Sequence, residues 1–306
     1  MKKAIVTGAD GFVGSHLVYE LLTNGYIVYG IDLSNRPKRL KQHPNLIYIS
    51  QDVSNINQLE KYFKKEDIYY FFHFAWRGSA GIERNDEEIQ LSNTITTAKC
   101  LRFANQIGCR RFIVAGSIME FETHSVVYSN DTKPNLSFIY GAGKVAAHQI
   151  SKSIANAIGI DLLWVYITNA YGAGELSPRF INSTILKIIN KENTNFSSGI
   201  QNYDFVYITD VAHAFRLVAE KGVANKGYMV GSGDAKPLKE FIIQLFETLA
   251  PNIKPSFGEI VYSGAMLPIE IYSIEEIIND CGFLPKINFS EGIRRTYDYL
   301  KEHKSE

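Results

Sequence analysis

A glycine-rich turn between an apolar strand and a helix is the feature that most constrains this chain. The run from Lys3 to Thr7 reads as a β-strand, and Gly8, Gly11 and Gly14 follow it directly. The first glycine permits a tight turn, the second lets backbone amides approach a pyrophosphate, and the third lets the helix pack closely on the strand. The pattern predicts a dinucleotide-binding turn, with Phe12 and Val13 at the start of the helix among the cofactor-binding residues.

Short apolar runs alternate with helical patterns through the first half of the chain, and this alternation predicts the fold class. Six runs read as strands: Lys3 to Thr7, Ile27 to Asp32, Leu46 to Ile49, Tyr69 to Ala75, Arg111 to Ser117 and Asp161 to Ile167. The stretches between them are long enough for crossover helices, and several runs are continuously apolar, as strands buried on both faces are. We predict an α/β fold with a doubly wound parallel sheet of the Rossmann type.

A change in the sequence pattern after Ile167 indicates a smaller C-terminal lobe. Glycine, proline and serine between 172 and 178 precede a helical pattern and a polar loop, whereas Phe205 to Ile208 and Gly227 to Val230 look like strands that return to the main sheet. We expect a dinucleotide-binding domain at 1–168, rejoined by 203–232. A substrate-binding lobe would then consist of 169–202 and 233–306.

Charge and cysteine usage argue against several classes of protein. The chain has 32 basic and 32 acidic residues and no net charge, so it lacks a global field that would collect nucleic acid or anionic membrane. Its three cysteines lie far apart without a C-x-x-C spacing, and the histidines show no metal-ligand spacing. No apolar run approaches the roughly 20 residues of a bilayer span. We expect a cytoplasmic protein with no metal site, no nucleic-acid partner and no membrane segment.

Asp32 stands at the end of the second predicted strand, where a carboxylate can accept hydrogen bonds from the ribose hydroxyls of NAD. The 2′-phosphate of NADP would meet like charge there, so the sequence favours NAD. Arg36 and Arg39 lie close enough in sequence to reach a 2′-phosphate, which keeps NADP open. Asp52 and Val53 follow the third strand, where Asp52 is predicted either to bind the adenine amino group or to cap the next helix.

Tyr140 and Lys144 place a phenol and an ammonium four residues apart on one face of a helix. Tyr297 and Lys301 repeat this spacing, so the context decides, and only the first pair follows a strand that ends in a hydroxyl residue, Ser117. A phenol with an ordinary pKa near 10 is a weak acid or base at neutral pH, and a nearby cation lowers that pKa. We therefore predict Tyr140 as the acid/base, Lys144 as its activator, and Ser117 as a hydrogen-bond donor to the reacting oxygen.

Several motifs occur in the order found in one enzyme family. They are the glycine turn, Asp32, His73-Phe74-Ala75, Asn93, Ser117, Tyr140-x-x-x-Lys144 and Asn169-Ala170-Tyr171-Gly172. Over nearly its whole length the chain resembles extended short-chain dehydrogenase/reductases of the epimerase/dehydratase type, which act on nucleotide-diphosphate sugars. The resemblance implies that Phe74 and Ala75 bind the cofactor, together with Tyr140 and Lys144. It also implies that Asn169 contacts the substrate and that Asn93 supports the active site through water.

The C-terminal half resembles CDP-abequose synthase-like 4-keto-6-deoxyhexose reductases. This resemblance rests on Arg179-Phe180-Ile181, Gly199-Ile200-Gln201, Asp204-Phe205, Asp210-Val211, Gly231-Ser232-Gly233 and Phe257-Gly258-Glu259. It implies a reductase that acts at C4 of the sugar.

Two positions depart from the pattern of these families. Tyr203 stands where related enzymes carry an arginine that grips the diphosphate, and Arg77 and Arg179 are the candidate replacements. Loss of such a charged hydrogen bond costs roughly 1.5 to 3 kcal/mol. Ile118 and Met119 stand where 4,6-dehydratases of the family carry an Asp-Glu pair, so dehydration would lack its acid and base. Met119 and Tyr203 are counted among the candidate substrate-binding residues.

Three functions stay open from the sequence. A 4-keto sugar reductase leads, an NAD-dependent C4-epimerase could use the same three catalytic residues, and a non-catalytic dinucleotide sensor is disfavoured because a sensor needs no proton donor. The helices near Asn85 to Ile107 and Ile139 to Ile158 carry apolar residues on more than one face. We expect a homodimer built from these two helices, since related enzymes pair there.

Overall fold

A seven-stranded parallel sheet forms the centre of the structure, a computed structural model that describes residues 1–63, 67–130 and 134–303. Thirteen strands are described: β1 (Lys3–Thr7), β2 (Ile27–Asp32), β3 (Leu46–Ser50), β4 (Ile68–His73), β5 (Arg111–Ser117), β6 (Asp161–Ile167), β7 (Asn169–Tyr171), β8 (Asn195–Phe196), β9 (Asn202–Tyr203), β10 (Phe205–Tyr207), β11 (Gly227–Val230), β12 (Lys236–Pro237) and β13 (Ser256–Phe257). The main sheet has the order β11-β6-β5-β4-β1-β2-β3, which confirms the predicted doubly wound fold.

Nine α-helices are described in the same residues, and they cover both faces of the sheet. They are α1 (Phe12–Thr23), α2 (Glu87–Gln106), α3 (Met119–Val127), α4 (Ile139–Ile158), α5 (Phe180–Asn190), α6 (Ile208–Lys221), α7 (Leu238–Leu249), α8 (Glu275–Cys281) and α9 (Phe289–Glu302). Helices α1 and α6 pack together on one face, and α2 and α4 pack together on the other.

Two apolar cores separate the sheet from its helices, because successive strand residues point to opposite faces. In β4, Tyr70 and Phe72 belong to the core beneath α1 and α6, whereas Phe71 belongs to the core beneath α2 and α4. In β5, Ile113 and Phe112 divide in the same way. Burial on both faces explains why these strands read as continuous apolar runs rather than as alternating ones.

The strand order reverses between β1 and β4, which are neighbours in the sheet although two strands separate them in sequence. Ligands of open α/β sheets bind in the crevice at such a point, outside the carboxyl ends of the strands. Strand β4 ends at His73, two residues earlier than predicted, so Phe74 and Ala75 belong to the loop that faces this crevice.

The expected return of segment 203–232 to the main sheet is wrong for its first part. Strand β10 pairs in parallel with β7 in a separate two-stranded sheet, and β9 pairs with β12. The edge of the main sheet next to β6 is occupied by β11 instead. Because β11 occupies this edge, β7 and β10 pair with each other beyond the end of β6.

Two further features of the described residues concern membrane-spanning helices and cysteines. None of their helices is both long enough and apolar enough to span a membrane. Cys100, Cys109 and Cys281 are buried, unpaired thiols, and burial raises the pKa of each, to about 12 for Cys109 and about 11 for Cys281.

Candidate active site

A cavity of about 750 Å³ opens where β1, β2, β4 and β5 end. Most of the predicted site residues line it: Gly8, Gly11, Phe12, Val13, Gly14, Asp32, Asp52, Val53, Phe74, Ala75, Arg77, Asn93, Ser117, Tyr140, Lys144 and Arg179. The predicted site residues that do not line it are Arg36, Met119, Asn169 and Tyr203. The fold thus joins the glycine turn, the acidic residue at the end of β2 and the three predicted catalytic residues in one crevice.

The glycine turn lies close to the loop after β4. Gly8 has φ +66°, and a Cβ atom there would lie 2.8 Å from the backbone nitrogen of Ala75. A Cβ atom at Gly14 would collide with the carbonyl oxygen of Gly8. Helix α1 begins directly behind the turn, so its free N–H groups and positive dipole end face the cavity. This cradle, which any side chain would fill, fits the pyrophosphate of a dinucleotide.

Asp32 is fixed at the cavity by two backbone hydrogen bonds. Its Oδ2 accepts from the Asp10 N–H at 2.9 Å, and its Oδ1 accepts from the Leu33 N–H at 2.7 Å. Both bonds leave acceptor capacity for ribose hydroxyls. The carboxylate therefore has the position and chemistry to select the unphosphorylated ribose.

The two arginines that kept NADP open are placed differently. Arg36 is exposed and outside the cavity. Arg39 lines the cavity, but its guanidinium donates to the Gly174 carbonyl at 3.1 and 3.0 Å and to the Asp10 carbonyl at 3.1 Å. Three of its five N–H donors are thus engaged with backbone carbonyl groups, which leaves two for any further partner.

Asp52 performs the capping role that was one of its two predicted alternatives. Its Oδ1 accepts from the Ser54 N–H at 2.8 Å at the start of the 3₁₀ helix Val53–Tyr62. The residue also lines the cavity, so a cofactor contact stays a prediction.

Ser117 and Tyr140 meet where β5 ends and α4 begins. Burial raises the pKa of Tyr140, and the positive charges of Arg84 and Arg179 and a hydrogen bond with Ser117 oppose that rise. The Ser117 N–H donates to Glu120 Oε1 at 2.9 Å, and Trp164 Nε1 donates to the same oxygen at 3.0 Å. Glu120, which the sequence analysis did not single out, thus fixes the turn that carries Ser117.

Lys144 is buried one helical turn beyond Tyr140. Its Nζ donates to the Ala115 carbonyl at 2.8 Å and lies 3.5 Å from the centre of the Trp76 ring. Desolvation lowers the pKa of Lys144 to about 7, although the charge of Glu120 opposes this shift. Burial therefore works against the charged form of Lys144.

The loop from Trp76 to Asn85, which we call the strap, was largely missed by the sequence analysis. Trp76 packs edge-on against Tyr140 with ring centres 6.1 Å apart, and its Nε1 donates to Gln90 Oε1 at 2.8 Å. The guanidinium carbon of Arg84 lies 4.7 Å from the centre of the Tyr140 ring. Trp76 could have been noticed because it follows His73-Phe74-Ala75 directly, but no spacing in the sequence marks Arg84.

The candidate substrate residues surround this centre without forming one cluster. Arg77 is exposed and pairs with Glu83 on the strap at 2.6 Å. Arg179 pairs with the buried Glu175 at 3.2 Å. Neither arginine is free of a carboxylate partner, so the proposed replacement of the missing diphosphate arginine would require one of them to change partners.

The side chains of Asn93 and Asn169 both form hydrogen bonds with backbone groups. Asn93 accepts from the Arg77 N–H at 3.0 Å and donates to the Arg77 carbonyl at 2.7 Å, which ties the strap to α2. Asn169 donates to the Asp204 carbonyl at 3.0 Å. These bonds give each asparagine a structural role, and the predicted substrate roles stay predictions.

Tyr203 and Met119, two further predicted substrate residues, lie outside the residues that line the cavity. Tyr203 stacks on Phe205 with ring centres 5.6 Å apart, and burial raises its pKa to about 12. Met119 is partly buried at the start of α3, and the neighbouring Ile118 is fully buried. Glu122, three residues further along this helix, was not singled out, and burial raises its pKa to about 7.

Together the glycine turn at the start of α1, the carboxylate of Asp32 at the cavity and a phenol near a buried lysine fit the site of a dinucleotide-dependent oxidoreductase. The chain belongs to the NAD dependent epimerase/dehydratase family, whose profile matches residues 4–231.

Known proteins similar to this chain match it along nearly its whole length. It is 24% identical to human dTDP-D-glucose 4,6-dehydratase, over 99% of this chain and 91% of that protein. It is also 24% identical to UDP-glucuronate 4-epimerase of Thermodesulfobacterium geofontis, over 98% and 96%. The structure of UDP-glucose 4-epimerase from Thermotoga maritima superposes with a TM-score of 0.82 at 21% identity, covering 99% of both chains.

We expect the protein to bind NAD more tightly than NADP, because Asp32 faces the ribose and Arg39 is engaged elsewhere. Asp32→Asn should weaken NAD binding about 10-fold, since a hydrogen bond to a charged group contributes about 1.5–3 kcal/mol. The same substitution should reduce the preference for NAD over NADP. Parallel titrations of both cofactors measure this, with the exposed Asp298→Asn as the control. Tighter binding of NADP by the unaltered protein would contradict the assignment.

Proposed function

We propose that this protein is an NAD(P)-dependent reductase that acts at C4 of a nucleotide-diphosphate sugar, with a 4-keto-6-deoxyhexose as the reacting sugar. The observation that carries the proposal is the meeting of Tyr140, Ser117 and Lys144 in the cavity that the glycine turn also lines. The nucleotide would lie against the lobe formed by 169–202 and 233–306, and the sugar would lie against Tyr140.

The residues of the chain supply the proton and the polarising contacts. A bound nicotinamide cofactor supplies the hydride. Tyr140 gives its hydroxyl proton to the C4 oxygen, and Ser117 donates a hydrogen bond to the same oxygen as negative charge develops there. Lys144, in its charged form, stabilises the resulting phenolate. A hydrogen-bond acceptor or negatively charged group of a ligand beside Lys144 would favour that charged form.

Net reduction is supported by the crowding at Tyr140. Arg84 covers the face of its ring, and Trp76 packs against it edge-on. An epimerase must present both faces of its keto intermediate to the nicotinamide, whereas a reductase needs only one orientation of the sugar. The resemblance of the C-terminal half to 4-keto-6-deoxyhexose reductases supports the same choice.

A C4-epimerase is the second candidate, because several of the similar proteins are named as epimerases. The bonds from Arg39 to Gly174 across the mouth of the cofactor cleft also fit an enzyme that retains its NAD. A 4,6-dehydratase is not supported, because Ile118 and Met119 carry no acid or base, and Glu120 is engaged by Ser117 and Trp164.

Tyr140→Phe should lower kcat by at least about 100-fold, the smaller end of the range for a lost general acid, and should leave cofactor affinity nearly unchanged. Lys144→Met should lower kcat and should also lower the affinity for the cofactor. Single-turnover hydride transfer and cofactor titration separate the two effects. Near-normal turnover of Tyr140→Phe would remove this residue from the mechanism.

With a 4-keto nucleotide sugar, we expect one reduced nicotinamide to be consumed for each carbonyl reduced. With an unmodified nucleotide hexose, we expect no elimination of water. Absorbance of the reduced cofactor and NMR of the sugar, followed in one reaction, test both. Interconversion of C4 epimers without net cofactor consumption would instead establish the epimerase.

We also propose a homodimer formed through α2 and α4. Leu91 and Ile95 are each 57% exposed on α2, and Ile150 is 43% exposed on the neighbouring α4. Exposed apolar residues on adjacent helices are typical of an interface.

Light scattering at micromolar concentration should therefore give the mass of two chains. The Leu91→Glu/Ile95→Glu double variant should give the mass of one. Leu284→Glu, at an apolar residue that is 63% exposed outside these helices, is the matched control and should stay dimeric. A monomer of unaltered protein would contradict the proposal.

A further inference from the structure

Arg84 is a charged side chain that lies against the ring of Tyr140 and forms no ion pair with a described residue. Its Nε is buried and makes no hydrogen bond, and its guanidinium forms no ion pair with any residue that the structure describes. Its contact is with the ring of Tyr140, 4.7 Å away, and its charge also acts on Glu122 and Tyr203. A partly buried cation without a counter-ion is costly, so such a group is more often functional than structural.

The position of Arg84 is built into the fold rather than left to a free side chain. Gln90 on α2 donates from Nε2 to the carbonyls of Gly78 and Glu83, at 3.1 Å each. Gly78 has φ +68° and packs against Glu83 and Gln90 so closely that a Cβ atom would collide. Because the backbone is tied on the residue before Arg84, the strap directs the guanidinium onto Tyr140.

The phenolate of Tyr140 is stabilised by a cation that stays charged, and burial works against the charge of Lys144. The Nζ of Lys144 lies 5.9 Å from the Tyr140 ring centre, and burial lowers its pKa to about 7. An arginine keeps its charge at every pH at which the protein is folded. Arg84 is the first cation among the groups that lower the pKa of Tyr140, ahead of Arg179.

We propose that Arg84 is a second activating cation for Tyr140, supplied by the strap, in addition to Lys144. In the reduction, the O–H bond of Tyr140 breaks and its proton goes to the C4 oxygen, while the electron pair stays on the phenolate. The carbonyl carbon receives the hydride of the reduced nicotinamide. Arg84, against the ring, stabilises the phenolate that this step leaves. The inference rests on the proposed role of Tyr140.

Other charged groups around Tyr140 have to be separated from Arg84. Arg179 and Ser117 lower the pKa of Tyr140, Glu120 raises it, and Lys144 lies on the same helix. Glu122 faces Arg84 and titrates near neutral pH. Measurements in a Glu122→Gln background therefore remove a carboxyl group that titrates near neutral pH and interacts with the charge of Arg84.

The test compares Arg84→Gln, Arg84→Lys and a matched control, Arg110→Gln, in that background. Arg110 lies 4.1 Å from the centre of the Tyr69 ring and is outside the cavity, so it repeats the arginine–tyrosine contact away from the site. The substrate is a 4-keto nucleotide sugar with reduced cofactor, and single-turnover reduction is followed across pH. Ultraviolet difference titration against Tyr140→Phe reports ionisation of the same phenol without substrate.

Removal of the positive charge raises the pKa of Tyr140. In reduction the protonated phenol is the active form, so the alkaline limb of the rate profile should move to higher pH. We expect Arg84→Gln to move this limb up by about one unit, the smaller end of the effect of a nearby opposite charge, and to slow reduction at neutral pH about 10-fold. Arg84→Lys should retain most of the effect, and Arg110→Gln should change neither.

An Arg84→Gln protein that is slower but has an unmoved limb and an unmoved phenol titration would overturn the inference, because it would show a purely structural contact. An unchanged rate and limb would overturn it too. If Arg84→Gln fails to fold, Arg84→Met replaces it as the uncharged variant. The alkaline limb of Arg84→Met is then compared with that of Arg84→Lys, and the same outcomes support or overturn the inference. Activity of Tyr140→Phe would refute the proposed function instead, so the two failures are distinguishable.

Discussion

The close approach of the β1–α1 turn to the end of β4 is the constraint on which the rest of the site depends. The backbone of Gly8 lies against Phe74 and Ala75 so tightly that a Cβ atom would be 2.8 Å from the Ala75 nitrogen. The same contact positions the amide groups of α1 over the reversal point of the sheet, where β1 and β4 are neighbours. Any side chain at Gly8 would push the phosphate cradle away from the loop that leads into the strap.

Burial then sets the electrostatics of the catalytic residues. Removal from water raises the pKa of Tyr140 and lowers that of Lys144, which disfavours both the phenolate that proton transfer leaves and the ammonium that stabilises it. The protein compensates with fixed charges: Glu120 favours the ammonium of Lys144, and Arg84 and Arg179 favour the phenolate of Tyr140. His73 at the end of β4 takes no part in this balance, because burial lowers its pKa to about 3 and it stays neutral.

The residues predicted to bind the substrate present no unpaired cation. Tyr203 provides no cation for a diphosphate, and Arg77 and Arg179 are paired with carboxylates. Among the described residues, Arg84 forms no ion pair, and it lies against Tyr140 rather than at the position of Tyr203.

The sequence by itself determined the elements whose signals are local. The bounds of β1, β2, β5, β6 and α4 follow directly from apolar runs and turn residues, and the glycine turn and the Tyr140–Lys144 pair lie within one element or one connection. Fixed spacing along a strand or a helix fixes geometry, so these features are readable without a fold. The resemblance to a known family supplied the link between them.

Only the tertiary structure decided which distant segments meet. Arg84 reaches Tyr140 because Gln90 holds the strap, Glu120 reaches Trp164 across β5 and β6, and β10 pairs with β7 because β11 occupies the edge of the main sheet. None of these contacts has a sequence period, since each joins residues from separate elements whose relative position is set by packing of the two cores. The cofactor-binding turn was therefore readable from the chain, whereas the charges that adjust the catalytic tyrosine were not.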